Sequence, residues 1–403
     1  MESLPLEGVR VLALENFIAG PVASMWLADA GAEVVKIEKP GGGDQARGLE
    51  PARTSGSERR SLSFIRANRN KKSVALDIKS PSGRAVLKRL IARADIVLEN
   101  LNASALARLQ LDYDSLSSEF PRLIYVSISG YGRGLRPSPD TASPAFDVVG
   151  QAVSGLMWRP EGADKRPHYL GFPMADIYAS TVALAGTYQA LYARERTGKG
   201  SFVDVSLVDG AAALNELSII MYGAFREIQA PGLHALTAPF GAFQAKDGWV
   251  VIGVLGESVW QRFAAAIEAP QLLARPELAN GVLRHKNLSV IVEVLDAWLA
   301  SRTVREVVQI LGSYDVPAAP VLNVDQVLES EHLQARGMLM TIDDPVWGPT
   351  VVAGNPLKTS LVPHDLSDPP PALGADTADV LSTWIGASQA ELESLTAAGA
   401  VGS

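Results

Sequence analysis

Asp176 stands at the end of Gly171-Phe172-Pro173-Met174-Ala175-Asp176, just ahead of an apolar, small-residue run from Ile177 to Tyr192. Gly171 and Pro173 break any element arriving from upstream, so the acid falls where a helix begins. Ala179-Ser180-Thr181-Val182-Ala183-Leu184-Ala185-Gly186 is too apolar to face water on every side, so that helix is a buried one. A carboxylate in this place has two readings. It is an N-cap, accepting an orphan backbone N–H and suiting the positive end of the helix dipole, or it is a reagent. Competing nucleophiles are scarce, since the chain has no cysteine and no Ser/His pair is evident.

A second constellation is cationic. Lys39 precedes a group formed by Arg66, Arg69, Lys71 and Lys72 around Asn68 and Asn70. Such a run is either a solvated face or a phosphate site built on charge-assisted hydrogen bonds. Arg108, beyond Asn100-Leu101, adds to it.

The elements that must carry these residues follow from hydrophobic periodicity. Strands read over 9–14, 33–38, 74–77, 95–98 and 123–128, with helical patterns over Pro21–Ala30 and after Ser80-Pro81, where Ser caps and Pro opens the first turn. Strands alternating with helices predict an α/β domain with a largely parallel sheet, whose ligands bind outside the carboxyl ends of the strands. Segments 15–20, 39–44, 99–101 and 129–132 lie at those ends. Gly130-Tyr131-Gly132-Arg133-Gly134 follows a strand, but prolines follow it instead of the helix a dinucleotide phosphate needs, which argues against NAD. A second, α+β region begins with a hairpin around Lys246-Asp247-Gly248 and continues in helices. Asp368-Pro369-Pro370-Pro371 reads as a stiff linker, and Ser388 with Glu391 as a capping box.

Composition narrows the function. The chain has 403 residues, 47% hydrophobic and 20% charged, with a net charge of -8, which is unlike a nucleic-acid binder. Without cysteine, and with five scattered histidines, no metal site is expected. No signal peptide or membrane span is visible, so a cytoplasmic protein is expected.

At this length the motifs resemble those of the family III CoA-transferases, the group with formyl-CoA, carnitine and mesaconyl enzymes. The resemblance is carried by residues 6–12, 27–38 and 40–44, by Asn68-Arg69-Asn70-Lys71-Lys72-Ser73 and 94–100, and later by Arg196-Thr197-Gly198-Lys199-Gly200, Ala238-Pro239-Phe240-Gly241 and Ala335-Arg336-Gly337-Met338. It implies a Rossmann-like large domain with a parallel sheet, residues 1–224, a small α+β domain, 225–320, and a C-terminal segment, 321–403, returning to the large one. Two ring-like subunits would interlock as a homodimer. Asp176 would attack the thioester of an acyl-CoA, forming an aspartyl anhydride and then an aspartyl-CoA thioester, from which CoA passes to a second carboxylic acid. Coenzyme A, as acyl-CoA co-substrate, would lie against Phe17, Ile18, Lys39, Asn68, Arg69, Lys71, Lys72, Asn100, Leu101 and Arg108.

The acid would face Phe146, Gln151, Tyr169, Phe172 and His234. Their mostly apolar or aromatic character favours an acceptor with a hydrocarbon body. The same resemblance reaches α-methylacyl-CoA racemases, which pair an aspartate with a histidine, but here Phe146 fills the histidine's slot and cannot move a proton. A racemase-like isomerase and a CoA-ester binding protein without turnover stand as alternatives.

Overall fold

The computed structural model describes residues 4–56, 58–158, 166–226, 237–362 and 368–402. His234 lies outside the described residues. The chain runs β1 (Arg10–Leu14), α1 (Ala19–Asp29), β2 (Glu33–Glu38), the hairpin β3 (Ala52–Ser55) and β4 (Glu58–Ser61), α2 (Leu62–Ile65) and β5 (Lys72–Ala75). It continues through α3 (Pro81–Ile91), β6 (Ile96–Glu99), α4 (Ala103–Leu109), α5 (Tyr113–Ser117), β7 (Ile124–Ser129), α6 (Asp147–Val153), α7 (Met174–Thr197), β8 (Phe202–Ser206) and α8 (Leu207–Leu214).

Six of these strands form one sheet in the order β5-β2-β1-β6-β7-β8, parallel throughout. Both faces are covered. Along β1, Val11 and Ala13 pack with α1 and α7 residues such as Leu27 and Ala179, while Leu12 and Leu14 pack with Leu87 and Leu90 of α3. Strand order reverses between β1 and β6, and the loops leaving a parallel sheet at such a switch point diverge and open a crevice. Ser80 caps α3 as read, accepting the Gly83 N–H at 3.0 Å.

The described chain folds as two compact units. The first comprises described residues of Met1–Met157, Tyr169–Glu216 and Glu331–Ser403. The second comprises described residues of Trp158–His168 and Leu217–Ser330, where cuts at 225 and 320 were expected. After α9 (Glu216–Phe225), the second unit holds β9 (Phe240–Gln244), β10 (Trp249–Gly253), α10 (Glu257–Ala266), α11 (Gly281–Lys286), α12 (Leu288–Leu299), α13 (Val304–Ser313), β11 (Ala318–Pro320) and α14 (Val324–Leu328). Its antiparallel sheet, β11-β10-β9, covers a core around Trp260, Phe263 and Leu295.

The chain then adds α15 (Glu331–Ala335), the hairpin β12 (Leu339–Asp344) and β13 (Gly348–Ala353), α16 (Thr377–Ile385) and α17 (Gln389–Ala397) to the first unit. Two local readings change. The Pro370 and Pro371 carbonyls accept hydrogen bonds from Arg60 and Arg47, so this segment is strapped to the first unit and is no free linker. Ser388 caps α17, but the Glu391 carboxylate turns to Arg89 of α3 rather than closing a capping box.

Candidate active site

Helix α7 begins at Met174, with Pro173 before it and no side-chain cap, which places Asp176 inside the first turn rather than at the cap. Its own N–H donates to Asp147 Oδ1 at 3.1 Å. A cap would hold the carboxyl below its ordinary range. Instead, burial and the charge of Asp147 raise Asp176 from 3.8 to about 7, with Arg66 working in the opposite direction. The helix N-terminus favours an anion there, so Asp176 is an ionisable acid held at its tipping point. The cap reading is set aside.

Asp147 is buried at the start of α6, where Gln151 Nε2, one helical turn on, reaches its Oδ2 at 2.6 Å. The same amide donates to the Phe172 carbonyl at 2.9 Å, and Gln151 Oε1 accepts the Leu170 N–H at 3.3 Å. Gln151 is fully buried, so it ties α6 to the segment leading into α7 and does not line a pocket, contrary to expectation. Tyr169 is raised above the ordinary phenol range by burial, by the charge of Asp147 and by a hydrogen bond to it. Phe146 and Phe172 are exposed.

The α6–α7 contact is close. A Cβ at Gly150 would come within 2.9 Å of the Ala175 Cβ, one residue before the acid. From the next turn of α7, Ser180 Oγ lies 2.8 Å from both the Ala19 and Asp176 carbonyl oxygens, its single proton shared or alternating between them, which joins α7 to the start of α1.

The loop from β1 to α1 forms one wall of the switch-point crevice. Asn100, just after β6, accepts the Asn16 N–H and donates to the Asn16 carbonyl, both at 2.8 Å. Asp44 Oδ1 accepts the Phe17 N–H at 3.1 Å and holds Phe17 at φ 64°, a left-handed conformation costly for a bulky residue. The Phe17 ring meets Phe146 edge-on, centroids 5.6 Å apart. Ile18 precedes the first turn of α1.

A cleft of about 430 Å³ opens on the other side of this loop, lined by Asn16, Lys39, Gly43, Asp44, Lys79 and Leu101 among others. Lys39 and Lys79 are exposed at the carboxyl ends of β2 and β5. A larger cleft of about 510 Å³ against β7 and β8 contains neither Asp176 nor the β1 loop in its walls. Asp176 lines neither of these two clefts; the smaller one adjoins the β1 loop at the switch point.

The expected phosphate cluster divides. Asn68, Arg69 and Lys71 are buried and bonded internally. Asn68 donates to the Phe64 carbonyl, Arg69 grips Asp29 with two nitrogens at 3.0 and 2.6 Å, and Lys71 Nζ donates to Glu15 Oε1 at 2.7 Å and the Pro21 carbonyl at 2.9 Å. Lys72 pairs with Glu33 and Asp379. These groups brace the start of α1 and the sheet edge. As side chains they do not reach for a ligand, because their counter-charges come from distant parts of the sequence. Asn100 is likewise a clamp on the β1 loop. Lys39 and Leu101 do line the cleft, and Arg108 is exposed in the last turn of α4.

Sequence reasoning passed over Asp147 and Lys79. Lys79 had a signal, since Asp77-Ile78-Lys79 follows its strand as Lys39 follows β2. Asp147 had none, because nothing local places it against Asp176. Among the described residues, no group of three or more His, Asp or Glu could hold a metal, and no helix is long and apolar enough to cross a membrane.

A doubly wound parallel sheet, a cation-edged cleft at its switch point and a carboxyl raised toward neutrality give an α/β protein with a ligand edge and a reactive acid. The match to known sequences makes that specific. Residues 6–377 fit the model of "CoA-transferase family III", and the chain belongs to that family. It is 32% identical to the succinyl-CoA–D-citramalate CoA-transferase of Chloroflexus aurantiacus over 98% of this chain and 97% of the relative. It is 31% identical to the human succinyl-CoA:glutarate CoA-transferase over 98% and 90%.

Among solved structures, a CaiB/BaiF family protein of Brucella suis aligns with a TM-score of 0.80 at 27% identity, covering 95% of this chain and all of the other. Rv3272 of Mycobacterium tuberculosis aligns at 0.82 and 29%, covering 93% and 99%. The protein is an enzyme of the family III CoA-transferase type, moving CoA between acyl-CoA thioesters and carboxylates.

Proposed function

We propose that the enzyme transfers CoA through covalent intermediates on Asp176, with succinyl-CoA as donor and a second dicarboxylic acid as acceptor. The observation that supports this most is the Asp176 carboxyl raised to about 7 without a capping role. A carboxylate of that basicity is a better nucleophile than an ordinary one and is still substantially ionised at neutral pH. In this reading the CoA phosphates meet Lys39 and Lys79, and the pantetheine arm crosses the Phe17–Ile18 main chain toward Asp176.

Asp176 attacks the thioester carbonyl, the C–S bond breaks, and CoA leaves as thiolate, giving an acyl-aspartyl anhydride. The thiolate then attacks the aspartyl carbonyl and expels the donor acid, leaving an aspartyl-CoA thioester. The acceptor carboxylate attacks that thioester, and the released thiolate attacks the acceptor's carbonyl in the second anhydride. Asp176 is regenerated. The substrate pair follows relatives whose names pair succinyl-CoA with D-citramalate, glutarate and mesaconate, all dicarboxylic acids.

The test is a mass-spectrometric screen of acids against succinyl-CoA and acetyl-CoA, with hydroxylamine trapping during turnover. Trapping should mark Asp176. Full transferase activity in Asp176→Ala would sink the mechanism, and deuterium exchange at the acyl α-carbon without CoA transfer would favour an isomerase instead.

A further inference from the structure

The glycine-rich run Gly130-Tyr131-Gly132-Arg133-Gly134, whose trailing prolines argue against a dinucleotide, has another use in the fold. It leaves β7 in close quarters. A Cβ at Gly130 would collide with that of Ala145, and Gly132 turns the chain at φ 78°. Just past the turn, the Asp204 carboxylate of β8 accepts the backbone N–H groups of Arg133, Gly134 and Leu135, at 2.8, 2.9 and 3.2 Å. The backbone of Arg133 is thereby fixed.

Its side chain, only 13% exposed, ends on the residues that follow β6. Arg133 Nη1 donates to Glu99 Oε1 at 2.7 Å, and Nη2 donates to the Leu101 carbonyl. Glu99 Oε2 in turn accepts the Leu101 N–H at 2.9 Å. Leu101 is therefore held at both polar atoms of its backbone. Glu99 is fully buried, and burial pushes its carboxyl above the ordinary range while Arg133 pulls it down.

Residues 99–101 form a partition. Glu99 and Arg133 line the cleft of about 510 Å³, and Leu101 lines the cleft of about 430 Å³. Asn100, between them, clamps Asn16 of the β1 loop. In the CoA-transfer reading, on which this inference rests, the phosphates lie at Lys39 and Lys79 and the pantetheine arm follows the β1 loop. Leu101 and the Asn16 clamp then stand on either side of the path that CoA takes.

We propose that Arg133 is a positioning residue for CoA, acting through Glu99 and Leu101 from the far side of the partition. Its guanidinium sets the place of Leu101 in the smaller cleft and, through Asn100, the pose of the β1 loop. Arginine suits this post because its planar fork reaches a carboxylate and a carbonyl at once.

The experiment compares the affinity for free CoA, measured by calorimetry on the full chain, with the melting temperature. Arg133→Met should weaken CoA binding about tenfold. It should also lower the melting temperature, because Glu99 is left buried without its counter-charge. The double variant Glu99→Gln/Arg133→Met removes that stranded charge. Its melting temperature should recover while CoA stays about tenfold weaker, since the Leu101 carbonyl is still unheld. Arg133→Lys should keep the ion pair and regain part of the affinity. In turnover, KM for acyl-CoA should rise with the dissociation constant, and KM for the acceptor acid should stay within about two-fold. Lys39→Met and Lys79→Met serve as controls that weaken CoA from inside the cleft.

Unchanged CoA affinity in Arg133→Met, with Lys79→Met weakened, would overturn the assignment. So would an affinity that returns together with the melting temperature in the double variant, since Arg133 would then only neutralise Glu99. CoA binding unmoved by both lysine variants would bring down the placement of CoA in this cleft, and the role of Arg133 with it, which separates the two failures.

Discussion

At the scale of single residues, the chemistry turns on two carboxyls that lie 29 positions apart in sequence and meet at a helix start. Asp147 takes the backbone N–H of Asp176 while repelling its charge. The acidic limb of the transfer rate should therefore show an apparent pKa near 7, with activity falling about tenfold per pH unit well below it. Asp147→Asn keeps an oxygen for the N–H and removes the repulsion, so the limb should move to lower pH in a pH–rate profile.

The same shift has a stability sign. The folded-state value lies above the unfolded 3.8, so ionising Asp176 costs stability as pH rises from about 4 through about 7. Asp176→Asn should abolish transfer, by more than about 10³-fold. It should also raise the unfolding free energy at pH 8 by on the order of 2–4 kcal/mol, measured by denaturant titration. A destabilised or fully active variant would contradict this account.

At the scale of elements, the loops at strand ends are held by charges that are themselves hidden. Lys36, Lys71, Glu15 and Asp44 form a buried network under the β1 loop, with Lys36 2.8 Å from Asp44 and Lys71 2.7 Å from Glu15. Burial disfavours the Lys36 charge, but Glu15, Asp44 and Glu38 outweigh that and keep it protonated. Lys71, with burial dominant and Lys36 nearby, falls to about 8.

Removing one member of such a network leaves an uncompensated charge. Lys71→Met should cost about 3–5 kcal/mol in chemical denaturation with little change in KM for acyl-CoA in the folded enzyme. Lys79→Met should do the reverse, raising that KM about tenfold with an unchanged melting temperature. Identical behaviour of the two variants would refute the division between bracing and ligand-facing cations. Gly150→Val, with Ala175 2.9 Å from any added Cβ, should displace α7 and lose activity together with about 1–3 kcal/mol of stability.

At the scale of the whole molecule, α9 has no buried residue, and Ile219, Ile220 and Phe225 are each more than half exposed. The interlocked homodimer is what the sequence resemblance implies, and burial of this apolar face against a partner is what that expectation requires. Light scattering at decreasing concentration should show a dimer down to the point of unfolding. A stable folded monomer would count against it.

Much of this architecture was legible in the chain. Alternating strand and helix periods announced the parallel sheet, Ser80-Pro81 announced the start of α3, and Lys246-Asp247-Gly248 announced the hairpin. Those signals are local, each carried by a few neighbouring residues. The linker at Pro369–Pro371 and the Ser388–Glu391 box were misread because Arg47, Arg60 and Arg89, which bind them, lie hundreds of positions away.

The sequence by itself determined the fold class, the family and the candidacy of Asp176, because periodicity, breakers and motif order are written along the chain. Only the tertiary structure decided what each charged residue does. It turned Asn68, Arg69 and Lys71 from ligand candidates into braces, and Gln151 from a pocket wall into a tie. It set Asp147 against Asp176. Burial and counter-charge govern whether a charged side chain is a strut or a reagent, and both depend on residues that only folding brings together.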